Sequence, residues 1–84
     1  MLYVGIDVAK YKHDIAIINS EGTIFIKHLQ VNNNREEFTK LQSTLMNFRK
    51  TIGEEIQIAL EDTSHHCFNL LQFLRMNGYP TIHC

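Results

Sequence analysis

Residues 2–8 read Leu2-Tyr3-Val4-Gly5-Ile6-Asp7-Val8, and their alternation decides the fold. Leu2, Val4, Ile6 and Val8 fall on one parity and Tyr3, Gly5 and Asp7 on the other, the period of two expected of a half-buried strand. The carboxylate of Asp7 therefore stands on the face opposite the aliphatics. Outward along the chain, His13 to Asn19 contains the β-rich run Ile15-Ala16-Ile17-Ile18, and Asn19-Ser20-Glu21-Gly22 supplies the turn chemistry of a hairpin. Thr23 to Val31 returns as a third strand, so residues 2–31 form an antiparallel meander with short connections.

Asn32-Asn33-Asn34 is a loop ending in a helix N-cap, and Glu37 lies at the spacing of a capping box. Phe38, Leu41, Leu45, Phe48 and Ile52 recur at intervals of three and four, one apolar stripe that predicts a helix packed on the sheet. Gly53 is placed to end it in a left-handed cap. Ile56, Ile58 and Leu60 alternate with Gln57, Ala59 and Glu61, a fourth strand closing on a carboxylate. Thr63 or Ser64 caps a second helix with Cys67, Leu70, Leu71 and Leu74 inward and Gly78 at its end; Pro80 follows, and Thr81 to Cys84 begins a fifth strand. The order β-β-β-α-β-α-β, with right-handed crossovers between parallel strands, predicts a mixed five-stranded sheet, an antiparallel meander continuing into parallel strands.

Length and composition bound the function. A chain of 84 residues is one domain at most, and 44% apolar against 20% charged residues is a globular composition, not a disordered one. There is no apolar run of membrane-spanning length and no secretory leader pattern, which makes a cytoplasmic protein without a membrane partner the expectation. Two cysteines, Cys67 and Cys84, are too few for a disulfide scaffold and are read as thiols. The net charge of −1 argues against indiscriminate binding of nucleic acid by the whole surface.

Two acidic residues stand out by position: Asp7 late in the first strand and Glu61 at the end of the fourth. If these strands are neighbours, both carboxylates lie together at the carboxyl edge of the sheet, where open α/β sheets place ligands. Paired carboxylates of this kind suit Mg²⁺ or Mn²⁺, hard cations that select oxygen donors. The plain alternative is that Asp7 caps a turn and Glu61 is a solvated strand end. Lys10, Lys12 and His13 follow Asp7, where they can meet a phosphate or form a solvated turn. His65, His66, Cys67, His83 and Cys84 are all zinc-ligand types, but consecutive helical residues diverge by about 100° and no Cys-x-x-Cys spacing is present. Cys67 reads instead as a small core residue and His65 as a helix-start residue near the carboxylate edge.

Tyr3-Val4-Gly5-Ile6-Asp7-Val8-Ala9-Lys10, the strand from Asp14 to Ile18, the helix from Phe38 to Ile52 and Ala59-Leu60-Glu61-Asp62-Thr63-Ser64-His65 together resemble the start of the DEDD-type insertion-sequence transposases. This is the family numbered one-hundred-and-ten, which includes the Piv-type DNA invertases. Together with the meander and the α-β-α-β that follows it, the resemblance implies a ribonuclease-H-like domain similar to the RuvC resolvase, its sheet in the order 3-2-1-4-5, with residues 1–84 as its incomplete N-terminal part. It implies four acidic ligands, of which Asp7 and Glu61 match the first two, and Mg²⁺-dependent DNA cleavage and transfer. It also implies a guide RNA from the element; the candidate nucleic-acid contacts on this chain are Lys10, Lys12 and His65, chosen by their places beside Asp7 and Glu61, and a homo-oligomer is expected. The segment after the glutamate departs from the usual Thr-Gly-His-Tyr pattern, with Ser64 in the Gly place and His66 in the Tyr place. Residues 1–84 alone are expected to fold, to self-associate through an unfinished sheet edge, and to be catalytically inert. Two other readings are an actin-like sugar or acetate kinase, whose first hairpin also carries Gly-x-Asp, and a non-catalytic assembly module. The kinase reading is weakened by Val8-Ala9-Lys10, where a phosphate-approaching loop uses small or hydroxylated residues.

Overall fold

The computed structural model describes residues 1–61 and 68–83. Its elements are β1 (Leu2–Asp7), β2 (Lys12–Asn19), β3 (Ile24–Asn32), α1 (Arg35–Ile52), β4 (Ile56–Glu61), α2 (Phe68–Met76) and β5 (Thr81–His83). They build a five-stranded sheet in the order β3-β2-β1-β4-β5. The meander is antiparallel, and β4 joins β1, and β5 joins β4, in parallel. The expected architecture is observed, and strand ends move by only a residue: β2 starts at Lys12 and β3 runs from Ile24 to Asn32.

The alternation seen in the sequence becomes burial. Leu2, Val4 and Ile6 of β1, Ile15 and Ile17 of β2, and Ile56, Ile58 and Leu60 of β4 are all at most 3% exposed. They form one apolar cluster with Phe38, Leu41 and Leu45 of α1 and Leu70 and Leu74 of α2. Each such side chain contributes about 1.5–3 kcal/mol on leaving water, so this layer is the main source of stability. Phe48, Ile52 and Leu71, expected in the same layer, are only partly buried at its margin. Cys67, expected to open the inward face of α2, lies outside the described residues, as do the proposed caps Thr63 and Ser64.

Helix α1 starts and stops as its sequence directs. The Asn34 side chain accepts a hydrogen bond from the Glu37 N–H at 2.8 Å, and Gly53 closes the far end at φ 74°, its N–H donating to Arg49 O. Glu37 does not complete the capping box at the N-cap itself. Its carboxylate accepts from the backbone and side-chain nitrogens of Asn32, two residues earlier, and pairs with Lys40 at 3.0 Å. These contacts, the Lys40 bond first, hold the Glu37 carboxyl below its ordinary range. A depressed carboxyl group adds stability that is present above its unfolded pKa and is lost as pH falls through the folded value. Removing the cap, Asn34→Ala, is expected to cost about 1 kcal/mol in a urea melt, while Asn34→Ser, which keeps an acceptor, should stay within a few tenths. Equal losses in the two variants would show that the cap hydrogen bond is not what stabilises this end.

His13 corrects a sequence expectation. Its place beside Lys10 and Lys12 in the sequence suggests a group able to meet a phosphate, yet its side chain is fully buried. The parity of β2 explains this: His13 shares the inward face with Ile15 and Ile17, stacks on Phe38 with ring centroids 6.1 Å apart, and accepts from the Ala9 N–H through Nδ1 at 3.3 Å.

Candidate functional site

The register between β1 and β4 pairs Leu2 with Ile56, Val4 with Ile58, Ile6 with Leu60 and, last, Asp7 with Glu61. Neighbouring strands lie about 4.8 Å apart, and paired residues of equal parity point to the same side, so the two carboxylates stand side by side on the face opposite the core. The ladder does not fray at this point. The Val8 N–H donates to Glu61 O at 2.9 Å, fixing the backbone beneath both side chains.

Antiparallel pairing on the other flank places Asp14 of β2 directly opposite Asp7. The edge therefore carries a row of three carboxylates, Glu61, Asp7 and Asp14. Sequence reasoning does not single out Asp14; the signal that places it is the four-residue connection, residues 8–11, between β1 and β2. Asp14 Oδ1 lies 3.6 Å from Nε2 of His28 on β3. With Lys27, these residues line an open concavity of about 530 Å³ whose floor is Gly5, Ala16 and Ala59. A Cβ added at Gly5 would meet nothing within 4 Å, so the floor is shallow because of its residue types and not because of a packing constraint. Among the described residues no group of three or more His, Cys, Asp and Glu side chains is gathered closely enough to hold a metal. What is in place is a row of hard oxygen donors, with the Lys27 ammonium and the His28 imidazole on the β3 side.

Lys10 and Lys12 flank this row. Lys12 is the first residue of β2, exposed and of the same parity as Asp14, so it stands on the carboxylate face. Lys10 lies in the β1–β2 turn with Nζ 5.2 Å from the centroid of the Tyr11 ring. His65 lies outside the described residues. No helix among the described residues is long and apolar enough to cross a membrane.

A mixed sheet in the order 3-2-1-4-5, a meander feeding parallel strands, and helices α1 and α2 in one core layer define an α/β domain of the ribonuclease-H-like, RuvC-like class. The transposase family model DEDD_Tnp_IS110 matches residues 4–84, and the chain belongs to that family. No match was found among curated proteins. Solved structures that match include the type II variant of the Aquifex aeolicus Ppx/GppA phosphatase, 13% identical, with 100% of this chain and 35% of that one covered at a TM-score of 0.47. A structure of the Aquifex aeolicus member of the Ppx/GppA family is 16% identical with the same coverage and TM-score, and a structure of the PPX-GPPA enzyme from that organism is 15% identical over 36% of its length. The chain spans about a third of the length of these structures, and likeness at this level carries no functional argument.

Proposed function

We propose that this chain supplies part of the catalytic centre of a DNA transposase that cuts and transfers DNA strands with a divalent cation, and that Asp7 and Glu61 are two of the cation's ligands. The observation that carries this reading is the parallel register that sets Asp7 beside Glu61 on the open face of the sheet. Both are hard oxygen donors on strands paired with each other from Leu2 and Ile56 to Asp7 and Glu61, which fits Mg²⁺ or Mn²⁺, ions that accept one or two carboxylates and keep several waters. When bound, the ion supplies charge neutralisation at the scissile phosphate and lowers the pKa of its water. The side chains of this chain hold the charge at a fixed place. Lys12 and Lys10 offer ammonium groups to the flanking phosphates, and His65 is proposed to contact the strand beside Glu61.

Membership of a DEDD-type family supports two further acidic ligands outside residues 1–84, DNA as the substrate, a guide RNA from the element, a cytoplasmic homo-oligomer, and no nicking by these residues alone. With two carboxylates in place of four, the cation binds weakly. Titration with Mn²⁺ alone, followed by paramagnetic broadening of amide resonances, is expected to bleach residues around 7, 14 and 61 first. Asp7→Asn should remove that selectivity. Broadening centred elsewhere, or unchanged by Asp7→Asn, would overturn the ligand assignment.

A further inference from the structure

We propose that Tyr11 is a nucleobase-stacking residue, receiving an unpaired base of the DNA strand that is led to the carboxylate row. This deepens the reading above and rests on it. Tyr11 is 71% exposed, so its ring adds almost nothing to the core. The backbone beneath it is nevertheless held at several points. The Asn33 N–H donates to Tyr11 O at 2.8 Å, Asn33 Nδ2 donates to Lys10 O at 3.1 Å, and the Ala9 N–H is tied to the buried His13 ring at 3.3 Å. A large aromatic presented on a pinned turn binds at little cost in ordering.

Its surroundings specify the ligand. Lys10 Nζ lies 5.2 Å from the ring centroid and engages the ring through its π-electrons, and the ring's large remaining exposure leaves room for a planar partner. The turn connects Asp7 to Asp14, so it carries Tyr11 at the same edge of the sheet as the carboxylate row. Lys12 faces that row on the next strand. A planar π-surface joined to an anionic backbone matches this combination, the base on Tyr11 and phosphates on the two lysines, as in single-strand binding grooves. A free phosphate would leave the ring without a role, and an apolar protein surface would leave the two ammonium groups unpaired. In a chain of net charge −1 this basic and aromatic turn is a local feature, which suits one strand at one place and not general adhesion to DNA.

The test is fluorescence anisotropy of a labelled thymidine oligonucleotide at low salt with the wild-type chain, Tyr11→Ala and Tyr11→Phe, repeated with an abasic oligonucleotide of the same length. Because the ring is exposed, both variants should melt at the wild-type temperature. Tyr11→Ala is expected to weaken binding to thymidine by between about five- and one-hundred-fold, and Tyr11→Phe by less than about twofold. On the abasic strand wild type and Tyr11→Ala should bind equally. Equal binding of thymidine by wild type and Tyr11→Ala, or an equal loss on both strands, overturns the stacking role while leaving the metal-ligand reading standing. No binding of either strand by the wild type overturns the stacking role together with the assignment of this edge to DNA.

Discussion

Asp7→Asn is expected to lower metal-dependent strand cleavage by the catalytically competent protein about 10²- to 10⁴-fold, with the fold unchanged. The amide is nearly isosteric but neutral, and it replaces an anionic oxygen donor by a weak one, which removes several kcal/mol of charge stabilisation around the reacting phosphate. Asp7 is on the solvent face of β1 and contributes to neither the core nor the backbone ladder by its side chain, so no packing loss accompanies the change. Relief of repulsion in a row of three carboxylates should leave the melting temperature equal or slightly raised without added metal. Glu61→Gln should behave alike. A nicking assay on supercoiled plasmid over a Mg²⁺ series, run beside thermal melts, checks both expectations. Activity retained in either variant, or loss of activity together with a lowered melting temperature, would remove the catalytic assignment.

The parts of this molecule that could be read in advance are those that depend on period alone. Asp7 and Glu61 each sit out of phase with three aliphatics, so their shared face follows from alternation and their adjacency from strand order. The α1 stripe follows in the same way from its spacing of three and four. Asp14 is harder to see, because its place opposite Asp7 depends on the length of the turn, and local composition does not fix how much of Val8-Ala9-Lys10-Tyr11-Lys12-His13 is turn and how much already belongs to β2. His13 was misplaced for a related reason. Its nearness in sequence to Lys12 suggested a basic cluster, while the phase set by Ile15 and Ile17 sends it inward. The β2–β3 register was also not legible, since it shifts between Ile15 and Ile17 and again between Ile17 and Ile18, and such irregularities reflect twist and side-chain fit across the pair. At β3 the reading by alternation fails altogether: its middle residues are exposed or half-buried on both parities. It is an edge strand, and pairing on one flank leaves both faces less covered.

Phe38→Ala is expected to destabilise the chain by about 3–5 kcal/mol, the cost of an aromatic truncated in a packed core. A domain of this size has only about 4–13 kcal/mol in total, so the change removes from about a quarter to all of its stability and should lower the urea midpoint steeply. The position is more demanding than its neighbours on the stripe because it joins three elements. From α1 its ring meets the buried His13 of β2 at 6.1 Å and Phe73 of α2 at 5.6 Å, and it is itself 4% exposed. Truncation therefore opens a cavity under His13, whose Nδ1 holds the Ala9 N–H, and loosens the turn that carries Tyr11 as well as the helix pair. Phe38→Leu, which refills most of the volume but loses the ring contacts, should cost about half as much. Met46→Ala on the same helix, where the side chain is 56% exposed, should stay within about 0.5 kcal/mol. Urea melts followed by circular dichroism, with the slope of the transition held constant, measure all three. If Phe38→Ala and Met46→Ala shift the midpoint equally, the core does not close over Phe38 and the turn is pinned by its own hydrogen bonds alone.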